Sequence, residues 1–162
     1  MKSRRKPPPG TRPSLSGANP WLVAAGAGSL AASALHLACI AGGPDWYRWL
    51  GAGEKMARAV ERGSWYPSLV TCAIAAVLAV WAAYAFSAAG VLARLPLTRT
   101  ALVLISAVLI GRAGLFLVRT SWRLDLSLTF MAWSSGIVLV LGLLFTIGTW
   151  QAWPTLTSWA KS

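Results

Sequence analysis

Two ionisable side chains sit well inside long apolar runs of this 162-residue chain, and any chemistry would begin with them: His36 at residues 20–41 and Arg112 at residues 97–118. If those runs cross a bilayer, a charge at mid-depth costs about 2.5–3.5 kcal/mol on an insertion scale, so each group needs a partner or a use. Ser33, Thr71 and Ser134, with Thr129 and Ser135, fall in the same half of their runs. Counted from the run ends, His36 and Arg112 should lie at similar depth. The set His36, Arg112, Ser33, Thr71 and Ser134 then outlines a candidate ligand-binding notch that opens outward. In it Arg112 would bind an anionic or quinone-like head group and His36 would donate a hydrogen bond. The plainer readings are that Arg112 stretches to the outer headgroups or locks onto Asp45 or Asp125, and that His36 bonds a neighbouring helix.

Cys39 and Cys72 are the two cysteines. Both lie near the outer ends of their runs, so a disulfide is conceivable in an oxidising compartment, given Cβ atoms about 3.8 Å apart. The alternative is two thiols acting as small apolar residues. Other chemistry is excluded by what is missing. There is no Cys-x-x-Cys pair, and a single histidine cannot give a membrane haem two axial ligands. No apolar run contains Asp or Glu, so the buried carboxylate of a proton-coupled antiporter is absent. Metal-ligand clusters and a Ser/His/Asp set are missing too, and Gly51-Ala52-Gly53 is too short for a nucleotide loop. No enzyme activity, cofactor or metal is expected.

The elements that would position these residues are the four runs themselves, at 20–41, 68–92, 97–118 and 126–150. Each is 22 or 25 residues long, and roughly 20 helical residues cross about 30 Å of hydrocarbon. Lipid offers the backbone no hydrogen bonds, so each run must be a helix. The expected fold is all-α: an integral membrane antiparallel four-helix bundle, with its transmembrane domain at residues 20–155. Charged residues make up only 12% of the chain although the net charge is +11. The basic residues lie almost entirely outside the runs, which excludes a folded nucleic-acid-binding surface. Residues 1–19, rich in Lys, Arg, Pro, Ser and Gly, predict a disordered basic cytoplasmic tail, and 156–162 a short cytoplasmic one. The first run exceeds the 7–15 residues usual for a signal-peptide core, so an uncleaved helix is expected.

Lys2, Arg4, Arg5, Lys6, Arg12, Arg94, Arg99 and Lys161 fall on the side of the termini, eight in all. Arg48, Lys55, Arg58, Arg62, Arg119 and Arg123 fall on the other, six, or seven with Arg112. The positive-inside rule therefore places both termini in the cytoplasm. Tryptophans mark both borders: Trp21, Trp150, Trp153 and Trp159 at the inner one, Trp46, Trp49, Trp65 and Trp122 at the outer one.

Between the first two runs, Asp45 can cap a short amphipathic helix over 45–62, lying flat on the outer leaflet. It could serve as a lid, a docking surface or a plain connector. Small residues at 24, 28 and 32, at 25, 29 and 33, and at 71, 75, 79, 83 and 87 predict close packing of the first two long helices. Gly136, Gly142 and Gly148 are six apart and share no face. The third long helix is bulkier and expected to face lipid in part.

The segment Gly42-Gly43-Pro44-Asp45-Trp46-Tyr47-Arg48-Trp49-Leu50-Gly51-Ala52-Gly53-Glu54, continuing to Trp65-Tyr66-Pro67, resembles small four-span bacterial inner-membrane proteins with no known activity. Ile147-Gly148-Thr149-Trp150-Gln151-Ala152-Trp153 has the same character. The resemblance covers most of residues 20–155 and implies a multi-pass protein of the bacterial cytoplasmic membrane. It carries no site residues. The expected function is non-enzymatic: an accessory or interaction subunit, or a binder of a lipidic or small ligand. The alternative is a small oligomeric transporter or channel. Implied partners are membrane lipid and either further copies of the chain or another membrane protein.

Overall fold

In the computed structural model, which describes residues 17–119 and 128–159, the first helix starts at an Asn-Pro pair. Asn19 caps α1 (Pro20–Trp49): its side-chain oxygen accepts from the backbone N–H groups of Trp21 at 3.0 Å and Leu22 at 3.2 Å. Pro20 fits the first helical position, where its missing N–H costs nothing. The same asparagine donates through its side-chain amide to the Gly148 carbonyl at 3.2 Å and through its backbone N–H to the Ala89 carbonyl at 3.3 Å.

α1 kinks at Gly43, whose φ of 69° and ψ of −158° break the helical path before Pro44. The helix expected as one piece over 45–62 is two pieces. A turn from Pro44 to Trp49 is followed by α2 (Glu54–Glu61), and the chain reverses between them. Gly51 at φ 70° and Gly53 at φ 93° make that reversal, because both occupy the left-handed region open to glycine.

α3 (Tyr66–Ala88) begins two residues before the expected run and ends four before its close. Gly90, at φ 83°, terminates it in a Schellman motif: Val91 N–H donates to the Phe86 carbonyl at 2.9 Å and Gly90 N–H to Ser87 at 3.1 Å. Ser87 then organises the connection, donating to the Ala93 carbonyl at 2.8 Å and accepting from Leu95 N–H at 3.0 Å. α4 (Thr98–Arg119) follows, and α5 (Leu128–Trp159) runs on through Pro154. Part of the expected C-terminal tail is therefore helical. Leu156 is buried with Ala88, Ala89, Leu102 and Ala152, and this packing holds the last turns in place. The basic tail at 1–16, the 120–127 connection with Asp125, and Lys161 lie outside the described residues.

Among the described residues the protein is all helical, without strands, and four of its five helices are long and apolar enough to cross a membrane. α1 packs most extensively on α3, and α4 on α5. Contacts pair Asn19 with Ala89 and Ser33 with Ala75, so α1 and α3 are antiparallel. Gly28 meets Leu141 while Leu22 meets Gly148, so α1 and α5 are antiparallel as well. Ala25, Ser29 and Ser33 are buried with Thr71 and Ala75 buried on α3, the small-residue packing expected of this pair. The other stripe, at Gly28 and Ala32, turns toward α5. Leu22, Ala85, Leu102, Ile105, Leu109, Leu141 and Phe145 form the core. The outer surface is no more polar: Leu30, Leu37, Ile74, Val80, Leu104, Val108, Val140 and Leu143 are all exposed. α4 carries its share of these apolar side chains, as its bulk led us to expect.

Candidate functional site

The residues of the expected notch do not converge. Gly28, the Leu141–Gly142 step and the Leu109–Ile110 step occupy one layer, because a Cβ on Gly28 would approach Leu141 Cδ2 to 2.8 Å and one on Gly142 would approach Ile110 Cδ1 to 2.8 Å. His36 lies eight residues beyond Gly28 on α1, whereas Arg112 lies two beyond Ile110 on the parallel α4. At 1.5 Å per residue they differ in depth by about 9 Å, not the similar depth that the run ends implied. Arg112 is also exposed on the outer face of α4, whereas His36 is half-buried. Ser134, half-buried on α5, is the notch residue level with His36.

The remaining polar groups are committed to holding helices. Ser33 Oγ donates across the seam to the Ala75 carbonyl at 2.7 Å. His36 Nδ1 lies 2.8 Å from the Ala32 carbonyl; that oxygen can only accept, so Nδ1 carries the proton and donates. Thr71 Oγ1 donates to the Pro67 carbonyl at 2.8 Å. With its one hydrogen so used, it accepts from Tyr47 OH at 3.1 Å.

Tyr47 belongs to a cap over the ends of α1 and α3. The Pro44–Trp49 turn and α2 close over Cys39, with Tyr47 and Ala57 buried beside it and Leu50, Met56 and Val60 packed around them. Cys39 and Cys72 are both free thiols, so the disulfide considered from the sequence is not formed. Thr71 is the α3 residue that faces Tyr47, and Cys72, about 100° further round the helix, is exposed.

Arg48 ties the cap's surface together, bonding Asp45 at 3.2 Å, Glu54 at 3.0 Å and Glu61, while Arg58 bonds Glu54 at 3.0 Å. The hydrogen bonds from Arg48 and then Arg58 pull the Glu54 carboxyl from its ordinary 4.5 down to about 2. A depressed carboxyl stabilises the folded cap above 4.5 and loses that contribution as pH falls through about 2. Near-ultraviolet circular dichroism of the packed Trp46–Trp49 pair should therefore fade between about pH 4.5 and about pH 2. Arg48→Gln should flatten that profile; an unchanged profile would show the network to be idle.

Two grooves lie on the flanks of α5. The first, between α1 and α5 toward the cap, is lined by Gly28, Ala31, Ala32, Trp133, Gly136 and Ile137 and encloses about 1380 Å³. It is apolar throughout. The second, between α4 and α5 at the Asn19 end, is lined by Val103, Ser106, Thr146, Thr149, Trp150 and Pro154 and encloses about 550 Å³. Its hydroxyls differ in kind. Ser106 donates to the Leu102 carbonyl and Thr146 to the Gly142 carbonyl, each within its own helix. Thr149, only 5% exposed, makes no such bond, and its hydroxyl has no partner among the described residues. An unmatched buried hydroxyl costs about 1–3 kcal/mol. Pro154, with no N–H, also leaves the Trp150 carbonyl without its usual helical donor. At the rim, the Arg99 guanidinium lies 3.9 Å from the centre of the Trp153 ring.

Sequence reasoning missed Asn19, Tyr47 and Thr149. The Asn-Pro step before an apolar run signals the first. Nothing local signals the other two. The chain matches no protein-family model, no curated protein and no solved structure.

Proposed function

We propose that this chain is a non-enzymatic integral membrane protein of a bacterial cytoplasmic membrane. On this reading it spans the bilayer four times, both termini are cytoplasmic and the cap lies on the outer surface. Its role is that of an accessory subunit that receives a transmembrane helix of a partner. The apolar outer surface supports the membrane setting, since water-soluble monomers rarely expose such large apolar patches. Trp49 and Trp65, exposed at the cap end, and Trp150, exposed at the other, suit the two headgroup levels.

The α1–α5 groove carries the partner reading. Its 1380 Å³ exceeds the range of about 300–1,000 Å³ usual for small-ligand sites. Its floor of Ala31, Ala32 and Gly136 lets another backbone come close, and such contact drives helix association where lipid supplies no hydrophobic force. A Cβ at Gly136 would meet nothing within 4 Å, so Gly136→Leu fills the groove without disturbing the fold.

The test is purification from the native membrane in mild detergent, followed by native mass spectrometry. Wild type and Val77→Leu, altered on the exposed side of α3, should retain the same polypeptide partner or second copy. Gly136→Leu should weaken that association roughly tenfold while its helical melting curve is unchanged. Association that survives Gly136→Leu would sink the proposal.

A further inference from the structure

We infer that the smaller groove, between α4 and α5 at the Asn19 end, binds one anionic glycerophospholipid. Its phosphate lies at Arg99, its glycerol oxygens lie at Thr149, and an acyl chain runs along Val103 toward Ser106. The inference rests on the four-span reading and is independent of the partner groove.

Three observations lead there. The groove's 550 Å³ falls within the range of about 300–1,000 Å³ for small-ligand sites, unlike its larger neighbour. Its wall is almost wholly apolar, yet it holds a buried hydroxyl, Thr149, that has no hydrogen-bond partner among the described residues. Beside it the Trp150 carbonyl, released by Pro154, offers an acceptor. An acyl chain alone would leave the Thr149 hydroxyl unmatched. A chain joined to ester oxygens matches it, because those oxygens accept from the Thr149 hydroxyl.

Charge selects the head group. Arg94 and Arg99 lie at this end, whereas Asp45, Glu54 and Glu61 are at the opposite end, in or beside the cap. Arg99 has no carboxylate within ion-pair distance among the described residues. Its stacking on Trp153 holds the guanidinium plane at the mouth of the groove, and the guanidinium fork suits phosphate oxygens. Trp153 itself suits the headgroup level that such a lipid would occupy.

The experiment titrates purified full-length protein in mild detergent with phosphatidylglycerol or phosphatidylcholine of identical chains, read by native mass spectrometry. Wild type should prefer phosphatidylglycerol. Arg99→Gln should remove most of that preference, weakening phosphatidylglycerol roughly fivefold, as for one basic residue at an anionic surface, and phosphatidylcholine less, because its choline cation already offsets the same phosphate. Thr149→Val, nearly isosteric, should weaken both lipids, because both carry the glycerol oxygens. Equal binding of the two lipids by wild type would overturn the inference, as would a preference that survives Arg99→Gln intact or lipid binding untouched by Thr149→Val. Should Arg99→Gln prove misfolded, Val103→Trp fills the groove from its exposed rim: loss of lipid with melting retained supports the site, and retained lipid overturns it. A failure of the membrane reading would show separately, as folded chain in a detergent-free supernatant. Gly136→Leu, in the other groove, should leave lipid binding unchanged.

Discussion

Tyr47→Ala is expected to open the cap and expose Cys39. Tyr47 is only 2% exposed, and its ring fills the space between Cys39, on α1, and Ala57, on α2. The cap lies beyond the Gly43 kink and outside the apolar run, where the alternative to burial is water and the hydrophobic effect applies in full. Truncating a buried aromatic there should cost about 3–5 kcal/mol. Tyr47→Phe should cost only about 0.5–1.5 kcal/mol, because Thr71 keeps its bond to Pro67 when the phenol is removed. Thiol alkylation in a Cys72→Ala background measures the difference. Since each 1.4 kcal/mol is a factor of ten, Cys39 should label at least about tenfold faster in Tyr47→Ala than in Tyr47→Phe. Equal rates in the two variants would mean that the ring does not hold the cap closed.

The second large effect is expected at Gly148, a point of close approach between α1 and α5. A Cβ there would lie 2.7 Å from Leu22 Cγ and 3.1 Å from the Leu22 backbone nitrogen. The side chain could rotate away, but the backbone cannot, and Asn19 fixes it by bonding the Gly148 carbonyl. Gly148→Val should therefore cost about 3 kcal/mol, the upper part of the overpacking range. Gly136→Leu adds more atoms to the same helix but enters open space, so it should leave the melting curve in place. Thermal unfolding followed by far-ultraviolet circular dichroism compares the two. Similar melting temperatures would contradict the contact geometry.

The long helices were legible because length and apolarity alone require them, whatever their neighbours do. Their ends were less so. Gly90 and Ser87 stop α3 inside an apolar run, and Pro154 fails to stop α5 because Leu156 beyond it has a buried seat. The pattern over 45–62 is helical in period on both sides of Gly51-Ala52-Gly53, so the reversal there was hidden by residues that suit either conformation. Depth counted from helix ends misplaced Arg112 relative to His36, because contact register, not run length, aligns helices. Gly142 and Gly148 share no face for a simple reason: one receives Ile110 of α4 and the other Leu22 of α1. Thr149 was unreadable. What separates it from Thr146 is a side-chain rotation, and sequence does not encode which threonine bonds its own helix.

The position of α5 has a consequence for biogenesis. It touches α1 through Gly148 and α4 through Gly142, and it is synthesised after both. Chains emerge from the ribosome N-terminal end first, so α1 and α3 can pair as a hairpin while the rest is still being translated. Until α5 arrives, α4 has only a thin contact with α3, and the amide of Asn19 waits for the Gly148 carbonyl. The ring of helices is thus closed by its latest member, and a ribosome stalled before α5 would hold two loosely associated parts.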